Sequence, residues 1–88
     1  MAATILVVED DPSIRELLVI NLESSGHRVI EAGSAEEAEQ LVITSLPDLI
    51  LLDWMLPGRS GPQFAARLRE AERTAEVPII MLTARTDE

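Results

Sequence analysis

Apolar residues arrive along this chain in two alternating rhythms. Short unbroken runs, Thr4–Val8, Leu49–Leu52 and Pro78–Leu82, are separated by stretches in which apolar positions recur every three or four residues. A run without polar alternation is buried on both faces, as in a parallel sheet packed between helix layers. The longer rhythm is that of a helix with one apolar face.

After the first run, Asp11 is placed to cap a helix with Pro12 at its first position, where a missing N–H costs nothing. Ile14, Leu17, Leu18 and Leu22 follow at helical spacing, and Gly26 is the expected stop. A short second strand is predicted at about Arg28–Ala32, then a helix opened by the capping-box signature Ser34-Ala35-Glu36-Glu37, with Ala38, Leu41 and Val42 inward. Pro47 ends that unit before the strand Leu49–Leu52. Beyond a Pro57-Gly58 loop, a third helix is predicted from about Gly61 to Ala71, with Phe64, Leu68 and Ala71 on one face. Pro78 begins the fourth strand, at the position where a strand tolerates proline, and Thr83-Ala84 follow it. The βαβαβαβ order predicts an α/β fold: a doubly wound parallel sheet with right-handed crossovers and helices on both faces, giving three layers.

The first strand runs into Glu9-Asp10-Asp11 and the third into Asp53. Open α/β sheets place their chemistry at the carboxyl ends of their strands. If those strands are neighbours, Glu9, Asp10 and Asp53 converge. Two ionised carboxylates about 4 Å apart repel by about 4 kcal/mol at an effective dielectric near 20. Protonation or a bound cation relieves that repulsion. Hard oxygen donors without His or Cys favour Mg²⁺, which shares its shell with phosphate oxygens, and Asp53 is then a nucleophile toward phosphorus. The plainer reading makes such acids solvated caps; it suits Asp11, but not Asp10 or Asp53, each of which closely follows a buried strand.

Composition narrows the partners. Sixteen acidic residues against seven basic ones give a formal charge of −9, which repels nucleic acid and anionic membranes. All seven basic residues are Arg; the sequence has no Lys. No apolar run nears the roughly 18 residues of a membrane span, and the start of the chain lacks the basic region of a signal peptide. The lack of cysteine suits a cytoplasmic location. Eighty-eight residues allow a single domain.

Three segments, Ile5-Leu6-Val7-Val8-Glu9-Asp10-Asp11, Asp48 through Gly61 and Pro78-Ile79-Ile80-Met81-Leu82-Thr83-Ala84, resemble in order and spacing the site-forming segments of response-regulator receiver domains. The wording Leu-Leu-Asp-Trp-Met-Leu-Pro-Gly with Met-Leu-Thr-Ala-Arg is most similar to the phosphate-regulon type in the winged-helix transcription-factor branch. The resemblance implies a flavodoxin-like (CheY-like) sheet and a cytoplasmic phosphoacceptor that takes phosphate from a sensor histidine kinase to control a DNA-binding output domain. It implies that Asp53 is the phosphoacceptor and that Asp10, Asp53 and the Met55 carbonyl ligate Mg²⁺. Glu9 would act through water, and Thr83 with Ala84 would contact the phosphoryl group. Such a domain assists transfer to its own Asp and is no turnover enzyme.

Receivers continue past the fourth strand with a helix, a fifth strand ending in Lys, and a last helix. Residues 1–88 are accordingly expected to be the N-terminal portion of a receiver, incomplete at its C-terminus and without the catalytic Lys. Weak phosphotransfer follows, as does self-association through a bare fourth strand. The alternative is a non-phosphorylated receiver that only binds protein.

Other readings fit less well. A dinucleotide binder needs a glycine-rich first turn, which here is Glu-Asp-Asp-Pro. A haloacid-dehalogenase-like phosphatase needs a second Asp two residues after the first, where Met55 stands. His27 and Arg59 are read as surface residues, Arg85 as an exposed cation, and Trp54 as a fluorescent reporter beside Asp53.

Overall fold

The computed structural model describes residues 2–82, so the sequence expectations for Thr83, Ala84 and Arg85 lie outside the described residues. Seven elements follow in the expected order: β1 (Thr4–Val8), α1 (Pro12–Ser24), β2 (Arg28–Ala32), α2 (Ala35–Thr44), β3 (Leu49–Asp53), α3 (Gly61–Glu70) and β4 (Ile79–Leu82). The strands form one parallel sheet in the order β2-β1-β3-β4. The reversal of winding at β1 and β3 opens a crevice at their carboxyl ends.

The pleat sends alternate residues to opposite faces. Leu6, Val8, Ile50 and Leu52 join Ala35, Ala38 and Val42 of α2 and Phe64 and Leu68 of α3 in the larger core. Ile5, Val7 and Leu51 face the other way, against Leu18 and Leu22 of α1. Helices therefore cover both faces of the sheet. Completely burying one such side chain contributes about 1.5–3 kcal/mol. Of the α1 residues at helical spacing, Leu18 and Leu22 pack inward, whereas Ile14 and Leu17 are exposed, 45% and 61%. Among the described residues, α1 is the one helix on that face of the sheet, and Ile14 and Leu17 have no apolar neighbour to cover them. Among the described residues, no helix is long and apolar enough to cross a membrane.

Helix ends follow local chemistry. The Asp11 carboxylate accepts from the N–H groups of Ser13 (2.8 Å) and Ile14 (3.2 Å), as its cap role requires. Gly26 takes a positive φ of 92° as α1 ends. The box expected at Ser34 closes only in part: Ser34 Oγ accepts from Glu37 N–H at 3.1 Å, but the Glu37 carboxylate reaches past Ser34 to the N–H of Gly33 at 2.8 Å. A reciprocal box forms instead on α3, between Ser60 and Gln63. Helix α3 stops at Glu70, leaving Ala71 extended and exposed rather than on the inner face. Buried Thr74 folds back to donate to the Leu68 carbonyl at 2.6 Å, which satisfies a terminal acceptor of the helix.

Candidate functional site

Register assembles the acidic rim. Val8 of β1 pairs with Leu52 of β3, so the next residues, Glu9 and Asp53, emerge side by side. Asp53 belongs to the strand itself, paired with Leu82 of β4, so β3 runs one residue beyond the expected Leu52. Glu9 N–H donates to the Ala32 carbonyl at 3.0 Å, which holds the end of β1 against β2. Glu9 and Asp53 are each only 5% exposed, while Asp10 faces solvent. One carboxylate oxygen from each of Glu9, Asp10 and Asp53 lies within 4.8 Å of the others.

Burial governs the protonation of the two inner acids. Desolvation raises the Glu9 carboxyl above its ordinary range; the Asp11 N–H, bonded to Glu9 Oε2 at 3.1 Å, pulls partly against it, and the charges of Asp53, Asp10 and Asp11 raise it further. Desolvation likewise raises Asp53, with the Asp10 charge adding to the rise. The nearby main-chain N–H groups of Met55 and Trp54, and the Glu9 carboxyl, oppose it. Two buried like charges in contact are costly without a proton or cation between them. Three hard oxygen donors converging there, one of them solvent-facing, suit a small divalent cation that keeps some of its waters.

The loop after Asp53 is tightly closed. Gly61 N–H donates to the Trp54 carbonyl at 2.9 Å, and Trp54 N–H donates to the Leu82 carbonyl at 2.9 Å. A Cβ at Gly61 would overlap the carbonyl oxygen of Asp53 and come within 3.1 Å of the Met81 Cε. Only glycine lets the first turn of α3 lie on the Asp53 peptide. Trp54 and Met55 are half exposed or more, 51% and 59%, on the rim of the site.

Sequence reasoning missed several contributors. Gly61 appeared only as a helix start. Arg59, expected to be solvated, pairs with Glu39 at 2.9 Å, and Arg67 reaches the same carboxylate at 2.6 Å. These two hydrogen-bonded cations hold the Glu39 carboxyl below its usual range and tie the loop to α2. His27 lies half-buried, its Nδ1 accepting from the Ala3 N–H at 3.3 Å. Asp48 accepts from Thr4 N–H at 2.8 Å, fixing the start of β3 beside β1. Those contacts join residues 20 to 44 positions apart, and no local pattern announces them.

A parallel α/β sheet with an acidic cluster at the carboxyl ends of its two central strands defines a doubly wound domain with one strand-end site. Over residues 5–88 the sequence matches the response regulator receiver domain family, and the chain belongs to it. It is 48% identical over 85 residues to the phosphate regulon transcriptional regulatory protein PhoB of Pseudomonas aeruginosa, covering 97% of this chain and 37% of that protein. Against PhoB of Escherichia coli the identity is 48% over 88 residues, 100% of this chain and 38% of that protein. The chain thus spans under two-fifths of the length of these relatives.

Among solved structures, the N-terminal domain of a response regulator receiver protein from Methanoculleus marisnigri superposes with a TM-score of 0.94 at 38% identity, covering 100% of this chain and 72% of that one. The response regulator TrrA from Thermotoga maritima, solved in complex with Mg²⁺-BeF, gives a TM-score of 0.88 at 38% identity, covering 98% of this chain and 72% of that one. The sheet is thus the CheY-like, flavodoxin-type sheet that the resemblance implied.

Proposed function

We propose that this receiver accepts a phosphoryl group from the phosphohistidine of a sensor histidine kinase onto Asp53. The observation that carries the reading is the burial of Asp53 beside Glu9 and Asp10, with their oxygens within 4.8 Å of one another. In the transfer an Asp53 carboxylate oxygen attacks phosphorus, the P–N bond to the kinase imidazole breaks, and an acyl phosphate forms. Histidine leaves with the bond pair and takes up a proton.

The residues proposed to hold Mg²⁺ are Asp10, Asp53 and the Met55 carbonyl, with Glu9 acting through water. Held by these residues, Mg²⁺ would offset the charge of the carboxylates and of the phosphoryl oxygens. Within the chain, Glu9 holds the turn through the Asp11 N–H, and the closed loop after β3 fixes the Asp53 peptide. Thr83 and Ala84 are proposed to meet the phosphoryl group. Residues 1–88 are read as the N-terminal portion of a receiver, in a cytoplasmic protein, that governs a DNA-binding output. The relatives' description as transcriptional regulatory proteins supports that output. Beryllofluoride, a phosphoryl mimic, should bind only with Mg²⁺ and should perturb Trp54 fluorescence; binding that persists in Asp53→Asn rules the reading out.

Self-association of this chain is proposed with a second copy as the occupant. Strand β4 is the edge of the described sheet, and Ile80 on it is 50% exposed. An apolar edge strand with free main-chain groups pairs readily with its like. Light scattering over a dilution series tests this, and a monomer at every concentration overturns it.

A further inference from the structure

We infer that Arg15 is a positioning residue of the acidic site, acting through the main chain of Glu9. Its Nη1 donates to the Glu9 carbonyl at 2.7 Å, a short charge-assisted bond, while its Nε pairs with Glu31 at 3.3 Å. The side chain is 23% exposed, so this is a half-buried clamp. Gly33 leaves room for it: a Cβ there would stand 3.3 Å from Nη1. The neighbouring Gly33 N–H is held by Glu37 at 2.8 Å, which fixes that wall of the niche.

These contacts hold Glu9 from several directions. Its N–H donates to Ala32 at 3.0 Å, its carbonyl accepts from Arg15, and its carboxylate accepts from Asp11 N–H at 3.1 Å. Arg15 is the only one of these partners on the body of α1. It therefore ties the turn that carries Glu9 and Asp10 to a helix already seated on the sheet by Leu18 and Leu22. Supports behind ligating groups commonly control metal affinity by tenfold or more; Arg15 stands one step further back, on the main chain of a residue placed to act through water and next to the ligand Asp10.

The inference rests on the rim being a Mg²⁺ site, and charge and position pull in opposite directions. If Arg15 mattered only as a nearby cation, its removal would tighten Mg²⁺ binding, because one repulsive charge is lost. If it positions Glu9, removal weakens binding. Titrating the whole chain with MgCl₂ and reading Trp54 fluorescence decides between them. Arg15→Met, which keeps an unbranched stem but loses charge and donors, is expected to bind Mg²⁺ about tenfold more weakly. Arg15→Lys, which keeps the charge and one donor group, is expected to fall between it and the wild type. In the metal-free protein, amide exchange at Glu9 and Asp11 should quicken relative to Val7 and Leu51 in both variants; measured in Arg15→Lys, this second readout stands even if the Met variant folds poorly.

Glu31→Gln, which loses the outer anion but leaves the Arg15–Glu9 bond, should weaken Mg²⁺ binding far less than Arg15→Met does. Tighter or unchanged binding in Arg15→Met overturns the inference. So does an equal weakening in Leu68→Ala, which would trace the effect to lowered stability. Failure of the wild type to bind Mg²⁺ would instead sink the metal reading itself.

Discussion

Glu9 and Asp53, each 5% exposed, stand side by side because Val8 and Leu52 pair in register one residue earlier. Their burial sets the pH behaviour of the pair. Burial raises both carboxyls, so across the window from their unfolded values up to their raised folded values the native state binds more protons than the unfolded one. Without metal, this pair therefore favours folding at the acid end of that window and costs stability as pH rises through it. Mg²⁺ competes with those protons, so its stabilising effect should be larger at neutral pH than near pH 5. Thermal melts with and without Mg²⁺ at several pH values check this; an equal shift at every pH contradicts it.

Asp53→Asn removes one of the two crowded charges while keeping its shape. In the absence of Mg²⁺ the variant should be more stable than the wild type at neutral pH, by on the order of 1 kcal/mol, a fraction of the roughly 4 kcal/mol repulsion of two close carboxylates. The same variant should gain little from Mg²⁺. Urea melts measure both, and a destabilised variant would mean that Asp53 is already compensated by a contact the cluster does not show.

Asp10→Ala takes away the solvent-facing carboxylate of the cluster. Mg²⁺ binding followed by Trp54 fluorescence should weaken by well over tenfold, with little change in stability, because the Asp10 side chain is exposed. An unaltered titration would remove Asp10 from the site.

Gly61→Ala forces a methyl group onto the Asp53 carbonyl. Either the first turn of α3 lifts or the peptide after Asp53 twists, and both move the loop that carries Met55. Stability should fall by about 1–3 kcal/mol, the usual range for overpacking, and Mg²⁺ affinity should fall with it. Control substitution Leu68→Ala, at the far end of the same helix, should lower stability without a comparable loss of affinity.

Much of this was legible in the residues. The unbroken runs at Thr4–Val8 and Leu49–Leu52 read as buried parallel strands, each running into acids that converge because β1 and β3 are neighbours. Caps such as Asp11 act within three residues and were equally plain. What stayed hidden acts across the fold. Arg15 meets Glu9 only because α1 folds back over its own strand, Gly61 matters because α3 lands on the Asp53 peptide, and Arg59 finds Glu39 across 20 residues. The periodicity of α1 identified a helix but not which of its apolar residues pack: Leu18 and Leu22 do, Ile14 and Leu17 do not. The capping signature at Ser34 misled by one residue, because Gly33 N–H was the better placed donor for Glu37.

Acceptance of the phosphoryl group at Asp53 is the step on which the proposed function turns. Its most direct test is incubation of the chain with a small phosphoryl donor and Mg²⁺, borohydride reduction of any acyl phosphate, and peptide mass spectrometry to find the reduced residue. The expected result is modification at Asp53 alone, dependent on Mg²⁺ and abolished in Asp53→Asn. Modification at Glu9, Asp10 or another residue while Asp53 stays untouched would contradict it.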